Sequence, residues 1–254
     1  MPRRIRPALL LLLLLPLLPT AAPARAACTD PPARRVNWLG CDKSGVDLAG
    51  ADLREAVLGR VNFAGARLAG ARLDGADLGR AELTGVDLKG ADLSGARLVS
   101  ARLIGAELEA ARLSGARLER AELAAAKLRG AQLGKAQLYQ ANLERADLEG
   151  ALLEGARLEQ ANLEGARLVA VQARDAVFTK ADLEGADLEG ADLREARLDG
   201  ANLQSARLIE ADLGGANLAG ARIDGADFRD ARLGNAQWVD RRRCRPGVSV
   251  GECL

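Results

Sequence analysis

From Val46 to Asp240 the sequence repeats one quintet, apolar–polar–apolar followed by two variable positions, 39 times without insertion or slip. Representative units are Ala51-Asp52-Leu53-Arg54-Glu55, Ala91-Asp92-Leu93-Ser94-Gly95 and Ala216-Asn217-Leu218-Ala219-Gly220. The central position is Leu in 33 units, with Phe63, Ala173, Phe178, Ile223, Phe228 and Trp238 in the rest. The position two before it is Ala in 35, with Val46, Val61, Val86 and Val171 in the others. An α-helix cannot use this period: five residues advance about 500°, so successive leucines spiral round the cylinder and leave no apolar stripe. A straight strand sends them to opposite faces. Ala, Leu, Glu and Arg favour helix intrinsically, but Gly ends 19 of the 39 units, and each would cost about 1 kcal/mol in a helix interior. A chain that bends the same way at the end of every unit satisfies all of them. Leu and the Ala two before it then share the inward face, and the residue between them, polar in almost every unit, points out. The last two positions form a corner, where Gly supplies turn conformations that β-branched residues resist. Four such sides close a square coil of twenty residues.

Charge supports that coil length. One outward column at intervals of twenty reads Asp47, Arg67, Asp87, Glu107, Lys127, Asp147, Arg167, Asp187, Arg207, Asp227, and the next reads Asp52, Arg72, Asp92, Arg112, Gln132, Leu152, Gln172, Asp192, Asp212, Arg232. Opposite signs mostly alternate, which favours pairing between coils at about 0.2–1 kcal/mol per exposed pair. The unit Val171-Gln172-Ala173-Arg174-Asp175 lacks its Leu and the next carries Phe178, read as an oversize ring beside an undersize methyl.

The motif A-[D/N]-L-x-x resembles, unit for unit, that of the pentapeptide-repeat family. The resemblance implies an all-β fold, a right-handed quadrilateral β-helix (solenoid) of about ten four-sided coils. With coils ~4.8 Å apart the rod would be on the order of 45 Å long. The final Trp238…Cys244-Arg245-Pro246-Gly247…Gly251-Glu252-Cys253 resembles the terminal cap of exported bacterial members.

The ends of the chain depart from the repeat. Residues 1–26 read as a signal peptide: Arg3, Arg4 and Arg6 precede an apolar run from Ala8 to Leu18, and Ala24-Arg25-Ala26 is a small-residue cleavage site. The run is about half the ~20 residues of a membrane span, so no span is expected after signal removal. Cys28 raises a lipoprotein reading, disfavoured by Arg25 three positions before it. Residues 27–45 form an N-terminal cap with a frayed first coil, because Lys43 falls on an inward position. Residues 46–240 form the repeat β-helix and 241–254 a C-terminal disulfide cap. Four cysteines permit three pairings; sequence proximity favours Cys28–Cys41 and Cys244–Cys253. An exported protein meets oxidising surroundings, where disulfides are the default.

Whole-chain composition then narrows function. There is no His in 254 residues, and no phosphate-binding glycine loop. Carboxylates occur only as members of an exposed lattice, with no pocket to separate their pKa values. No catalytic residue, metal site or cofactor is therefore expected, and the protein is read as no enzyme. Without the four arginines of the signal, 32 basic residues face 35 acidic ones, a formal net charge of −3, which does not mark a nucleic-acid partner. The expected role is a non-enzymatic structural or protein-interaction module, periplasmic or extracellular, with an unknown protein partner and a homodimer left open. The alternative is a DNA-mimic binding DNA gyrase, as quinolone-resistance members of the family do; near-neutral charge, alternating columns and an export signal disagree with it. An ice-binding ladder is rejected, since only Thr84 and Thr179 lie in the repeats.

Two surface regions stand out. Between 141 and 200 there are 14 acidic and 7 basic residues, and Glu144, Glu149, Glu154, Glu159 and Glu164 share one corner position in consecutive units. With Asp182, Glu184, Asp187, Glu189 and Asp192 they form the candidate interaction patch. Val57, Val99, Tyr139 and Val177 are expected on a single side among Arg97, Arg117, Arg157 and Arg197, a mixed apolar and arginine face.

Overall fold

The computed structural model describes residues 27–254; the signal-peptide reading of 1–26 lies outside them. From Asp47 to Asn217 the second residue of each unit forms a parallel β-bridge with the residue twenty positions later, as in Asp47–Arg67, Asp87–Glu107 and Arg207–Asp227. Four quintets therefore make one coil. Each side contributes a single bridging residue and turns before a second can form. The β character is thus a stack of isolated bridges rather than the longer extended segments that the sequence reading drew.

Each unit makes the same set of backbone bonds. Leu93 N–H donates to Arg112 C=O (2.7 Å) and Gly95 N–H to Ser114 C=O (3.0 Å) in the following coil, while Arg97 N–H donates to Ala76 C=O (2.9 Å) in the preceding one. The corner is closed by Ala96 N–H donating to Leu93 C=O (3.0 Å). Repeating these bonds pairs the main-chain groups of the inward-facing positions, as burial requires, and leaves the N–H of the first corner residue and the C=O of the second, as at Ser94 and Gly95, without a backbone partner. The outward residue adds one more: its carboxylate or amide oxygen accepts from the N–H two residues on, as Asp92 does from Ser94 and Asn142 from Glu144, both at 3.0 Å. This Asx turn is a physical reason for Asp and Asn at that position beyond solubility.

The last corner residue takes a positive φ in every unit but the final one, where Arg241 (φ 69°) replaces Asp240. Nineteen of these corners are not glycine and lie at φ 53–63°, from Ala170 to Asn235. None of them is β-branched, since such side chains tolerate this region worst. Left-handed backbone costs a non-glycine residue about 1–2 kcal/mol, offset from Glu55 to Glu210 by the hydrogen bond that the corner N–H donates to the following coil, as Glu55 does to Asp74 C=O at 3.1 Å.

The inward Leu and Ala are almost all buried to within 1% of full exclusion from Leu53 to Leu218. Each Leu stabilises the fold by ~1.5–3 kcal/mol. Ala173 and Phe178 are both fully buried, so the unit that lacks its Leu leaves no opening to solvent.

The two ends close differently. At the N-terminal end the repeat geometry extends back beyond Val46: Asn37 bridges Val57 and Asp42 bridges Asn62. The coil that the sequence casts as frayed around Lys43 is thereby paired to its neighbour. Lys43 Nζ lies 4.0 Å from the centre of the Trp38 ring and donates to Cys28 C=O at 2.7 Å. Trp38, 1% exposed, meets Phe63 edge-on with centroids 6.4 Å apart, and Cys41 takes an inward small-residue position and bonds Cys28. At the C-terminal end the chain reverses, giving antiparallel bridges Gln237–Arg243 and Arg232–Val250. Leu233 N–H donates to Ser249 C=O and Gly251 N–H to Ala231 C=O, both at 2.9 Å. The reversed segment is tied by Cys244–Cys253, with Cα atoms 4.9 Å apart.

Candidate functional site

The interior is packed, so any chemistry lies outside. Among the described residues no group of three or more His, Cys, Asp or Glu could hold a metal ion, and no helix is long and apolar enough to cross a membrane.

The outer charges are locked in a lattice. Glu107 is shared by Lys89 and Lys127 at 2.5 and 2.9 Å, and hydrogen bonds from these two ammonium groups hold its carboxyl down at about 2. Asp52 is likewise lowered to about 2, first by the Arg54 guanidinium. Asp77–Arg97 (2.6 Å) and Asp187–Arg207 (3.1 Å) pair from coil to coil.

The ten acidic patch residues are not brought together. Corner positions five apart lie on successive sides, so Glu149, Glu154 and Glu159 face away from Glu144. What stacks is Glu144, Glu164 and Glu184, twenty apart on one corner, beside the bridged column Asn142–Asn162–Asp182–Asn202. Most of the others are neutralised. Glu149 is gripped by Arg129 and Arg167, Glu159 by Arg157 at 2.7 Å, and Glu189 by Arg207 at 2.7 Å. Asp192 pairs with Arg194 at 2.5 Å, which is the largest cause of its lowered pKa. Asn202 donates to both Asp182 (2.9 Å) and Glu184 (3.0 Å). Glu154 and Glu164 have no ion-pair partner among the described residues.

The apolar and arginine residues do share a side. Val57, Asp77, Arg97, Arg117, Gln137, Arg157, Val177 and Arg197 form one continuous bridged column, hereafter the Val57 side. Six large hydrophobic residues are exposed among the described ones: Leu39, Val57 and Tyr139 on this side, and Val248, Val250 and Leu254 in the C-terminal segment. The sequence reading missed Gly59, Arg60, Gly79 and Arg80, which shape the same side. Their signal was present, since Leu58-Gly59-Arg60 recurs one coil later as Leu78-Gly79-Arg80.

The sequence matches the profile described as pentapeptide repeats, in eight copies, over residues 44–80, 81–120, 116–155, 156–195 and 196–235. Among solved structures it is similar to HetL of the cyanobacterium Nostoc sp. strain PCC 7120, a pentapeptide repeat protein involved in heterocyst differentiation regulation. The two share 36% identity over 82% of this chain and 92% of HetL, with a TM-score of 0.54. QnrB1, a plasmid-mediated fluoroquinolone resistance protein, aligns at 18% identity over 64% of this chain and 74% of its own, with a TM-score of 0.43. A pentapeptide repeat protein of the Arabidopsis thaliana thylakoid lumen aligns at 28% identity over 45% of this chain and 66% of its own, with a TM-score of 0.33. No curated protein sequence gives a match. An uninterrupted quintet, bridges at every twentieth residue and the likeness to HetL over most of both chains agree: this chain belongs to the pentapeptide-repeat family.

Proposed function

We propose that this protein is an exported, disulfide-closed rod of about ten right-handed, four-sided coils that binds another protein on its outer surface, in the bacterial envelope or exterior. Members of its family are non-enzymatic interaction modules. The observation that carries the reading is the filled interior: Leu and Ala occupy the axis from one end to the other, so recognition is left to the flanks. Rigid flanks suit this role, because a preorganised surface loses little entropy on binding.

Both disulfides accord with an oxidising compartment, and a Cys28 sulfur joined to Cys41 has no valence left for a lipid thioether. Of the acidic patch, Glu164, Asp182 and Glu184 remain without a guanidinium on one side of the rod, beside the bridged column Asn162–Asp182–Asn202, and form the contact for a basic partner. The gyrase-binding alternative needs a run of negative charge at phosphate spacing, and the alternating columns do not provide one.

The test is fractionation of cells making the protein with its natural N-terminus. The expected product lies outside the cytoplasm, begins at Ala27 and has all four cysteines protected from alkylation. An intact cytoplasmic product with free thiols overturns the reading.

A further inference from the structure

We infer that the Val57 side carries a binding groove for an acidic, partly apolar peptide segment of a partner protein, with Arg60 and Arg80 as its carboxylate-binding pair. The inference rests on the interaction-module reading and names where that interaction occurs and with what chemistry.

The groove is a concavity of about 460 Å³. Its shape follows from two glycines that the backbone does not require. Gly59 and Gly79 occupy the first corner position and lack the positive φ that marks the second. A Cβ on Gly59 would stand 3.0 Å from Leu39 Cδ1, and one on Gly79 would stand 2.8–2.9 Å from the Arg97 guanidinium. Without those atoms the Leu39 side chain and the Arg97 guanidinium lie flat against the main chain. Arg97 is held there by Asp77 at 2.6 Å, and the space above stays open.

Charge then selects the occupant. Arg60 and Arg80 stack one coil apart, ~4.8 Å along the rod, and neither has an ion-pair partner among the described residues. Arg120, two coils further, contacts only Gln140 through a side-chain hydrogen bond at 3.2 Å. Elsewhere on this side like charges that stack are each neutralised: in the bridged pair Arg97–Arg117, Arg97 binds Asp77 and Arg117 binds Glu119 at 3.2 Å. Adjacent like charges destabilise a sheet, so the Arg60–Arg80 pair calls for an external anion. Leu39 and Val99, which also line the groove, set aliphatic surface beside the guanidiniums. A segment carrying both carboxylates and aliphatic side chains matches that mixture; a bare phosphate chain matches only the charge. From Arg60 to Arg120 is about 14 Å, spanned by four or five extended residues at ~3.3 Å each.

The test uses the purified, oxidised protein and a fluorescent six-residue peptide of alternating Glu and Leu, with its Gln–Leu counterpart, followed by anisotropy. Saturable binding of the Glu peptide is expected, weakened at least tenfold in the double variant Arg60→Gln, Arg80→Gln. Gln already occupies such corners at 140 and 160 with positive φ, so the fold should persist, which circular dichroism verifies. Gly79→Ala, which pushes Arg97 up into the groove, should weaken binding several-fold, and Arg67→Gln on the opposite side should change it less than twofold. The proposal is overturned by equal binding of the Gln peptide, by no saturable binding, or by equal loss in Arg67→Gln. It is also overturned if polyphosphate binds the arginine pair and the Glu peptide does not. Concentration-dependent association abolished by the double variant would likewise overturn it, by making a second copy of this chain the occupant. A negative titration leaves the fractionation result untouched, so the two readings fail separately.

Discussion

The two ends of this rod face one problem, a coil with no neighbour on one side, and solve it by different means. The N-terminal end is plugged: Trp38 and Phe63 fill the axis, Lys43 lies across the Trp38 ring, and Cys28–Cys41 ties the entering chain to an inward position. The C-terminal end is lidded: the chain doubles back and takes up the hydrogen-bonding groups that another coil would have used. An aromatic pair also sits there, Phe228 and Trp238 with centroids 5.3 Å apart, but Trp238 is only half-buried. A plug protects apolar surface, whereas a lid protects unpaired backbone, the part of a sheet edge that invites self-association.

The largest effect that separates plug from lid is expected from the tryptophans. Trp38→Ala should cost about 3–5 kcal/mol, as for a large buried ring, and Trp238→Ala clearly less, measured by guanidinium unfolding. Equal losses would mean that both ends are plugs. Next come the disulfides, which close loops of similar length, with sequence separations of 13 and 9. Replacing either cysteine pair by serines should cost about 2.5–3 kcal/mol. Only the Cys244→Ser, Cys253→Ser protein should also associate with rising concentration in sedimentation velocity, because only there does loosening the tie bare paired backbone. Association of the Cys28→Ser, Cys41→Ser protein instead would reverse the assignment.

The smallest expected effect is electrostatic. Glu55, near the plug, is held below its usual 4.5 first by hydrogen bonds from Arg34 and Arg35, and Asp227, near the lid, below 3.8 first by Arg229. A carboxylate depressed by folding adds stability above its unfolded pKa, and that contribution fades as pH falls through the folded value. Both ends should therefore loosen slightly as pH falls below about 4.5, and 1 M salt at pH 7 should shrink the difference by screening. Amide exchange at the first and last coils measures it; exchange independent of pH over that window, after correction for intrinsic rates, would remove these pairs from the account.

The rod itself was legible because every quintet states the same geometry. The twenty-residue coil could be read twice, from the period and from the sign of charges at intervals of twenty, and the bridges follow that interval. The lid was not legible as a reversed chain, since residues 241–254 carry no period and their partners lie on the edge of the last coil. Lys43 stands at a position that the period turns inward, yet it is half-buried, and what receives its ammonium depends on Trp38 and the Cys28 carbonyl, which only the folded N-terminus brings to it. The acidic patch shows the opposite hazard. Five glutamates five apart look like a band in sequence, yet the coil deals them to different sides. The motif that shapes a surface, Leu-Gly-Arg at 58–60 and 78–80, repeats at twenty.

Because each parallel bridge joins a residue to its twentieth successor, changes in chain length act on this molecule in discrete steps. Removing one quintet would rotate everything downstream by a quarter turn, carrying Tyr139 off the flank that holds Arg60 and Arg80. Removing four would restore every alignment and only bring the two ends one storey closer. Lineages of such a rod can therefore change its reach by whole turns while the layout of each wall survives, as a ladder is shortened by rungs.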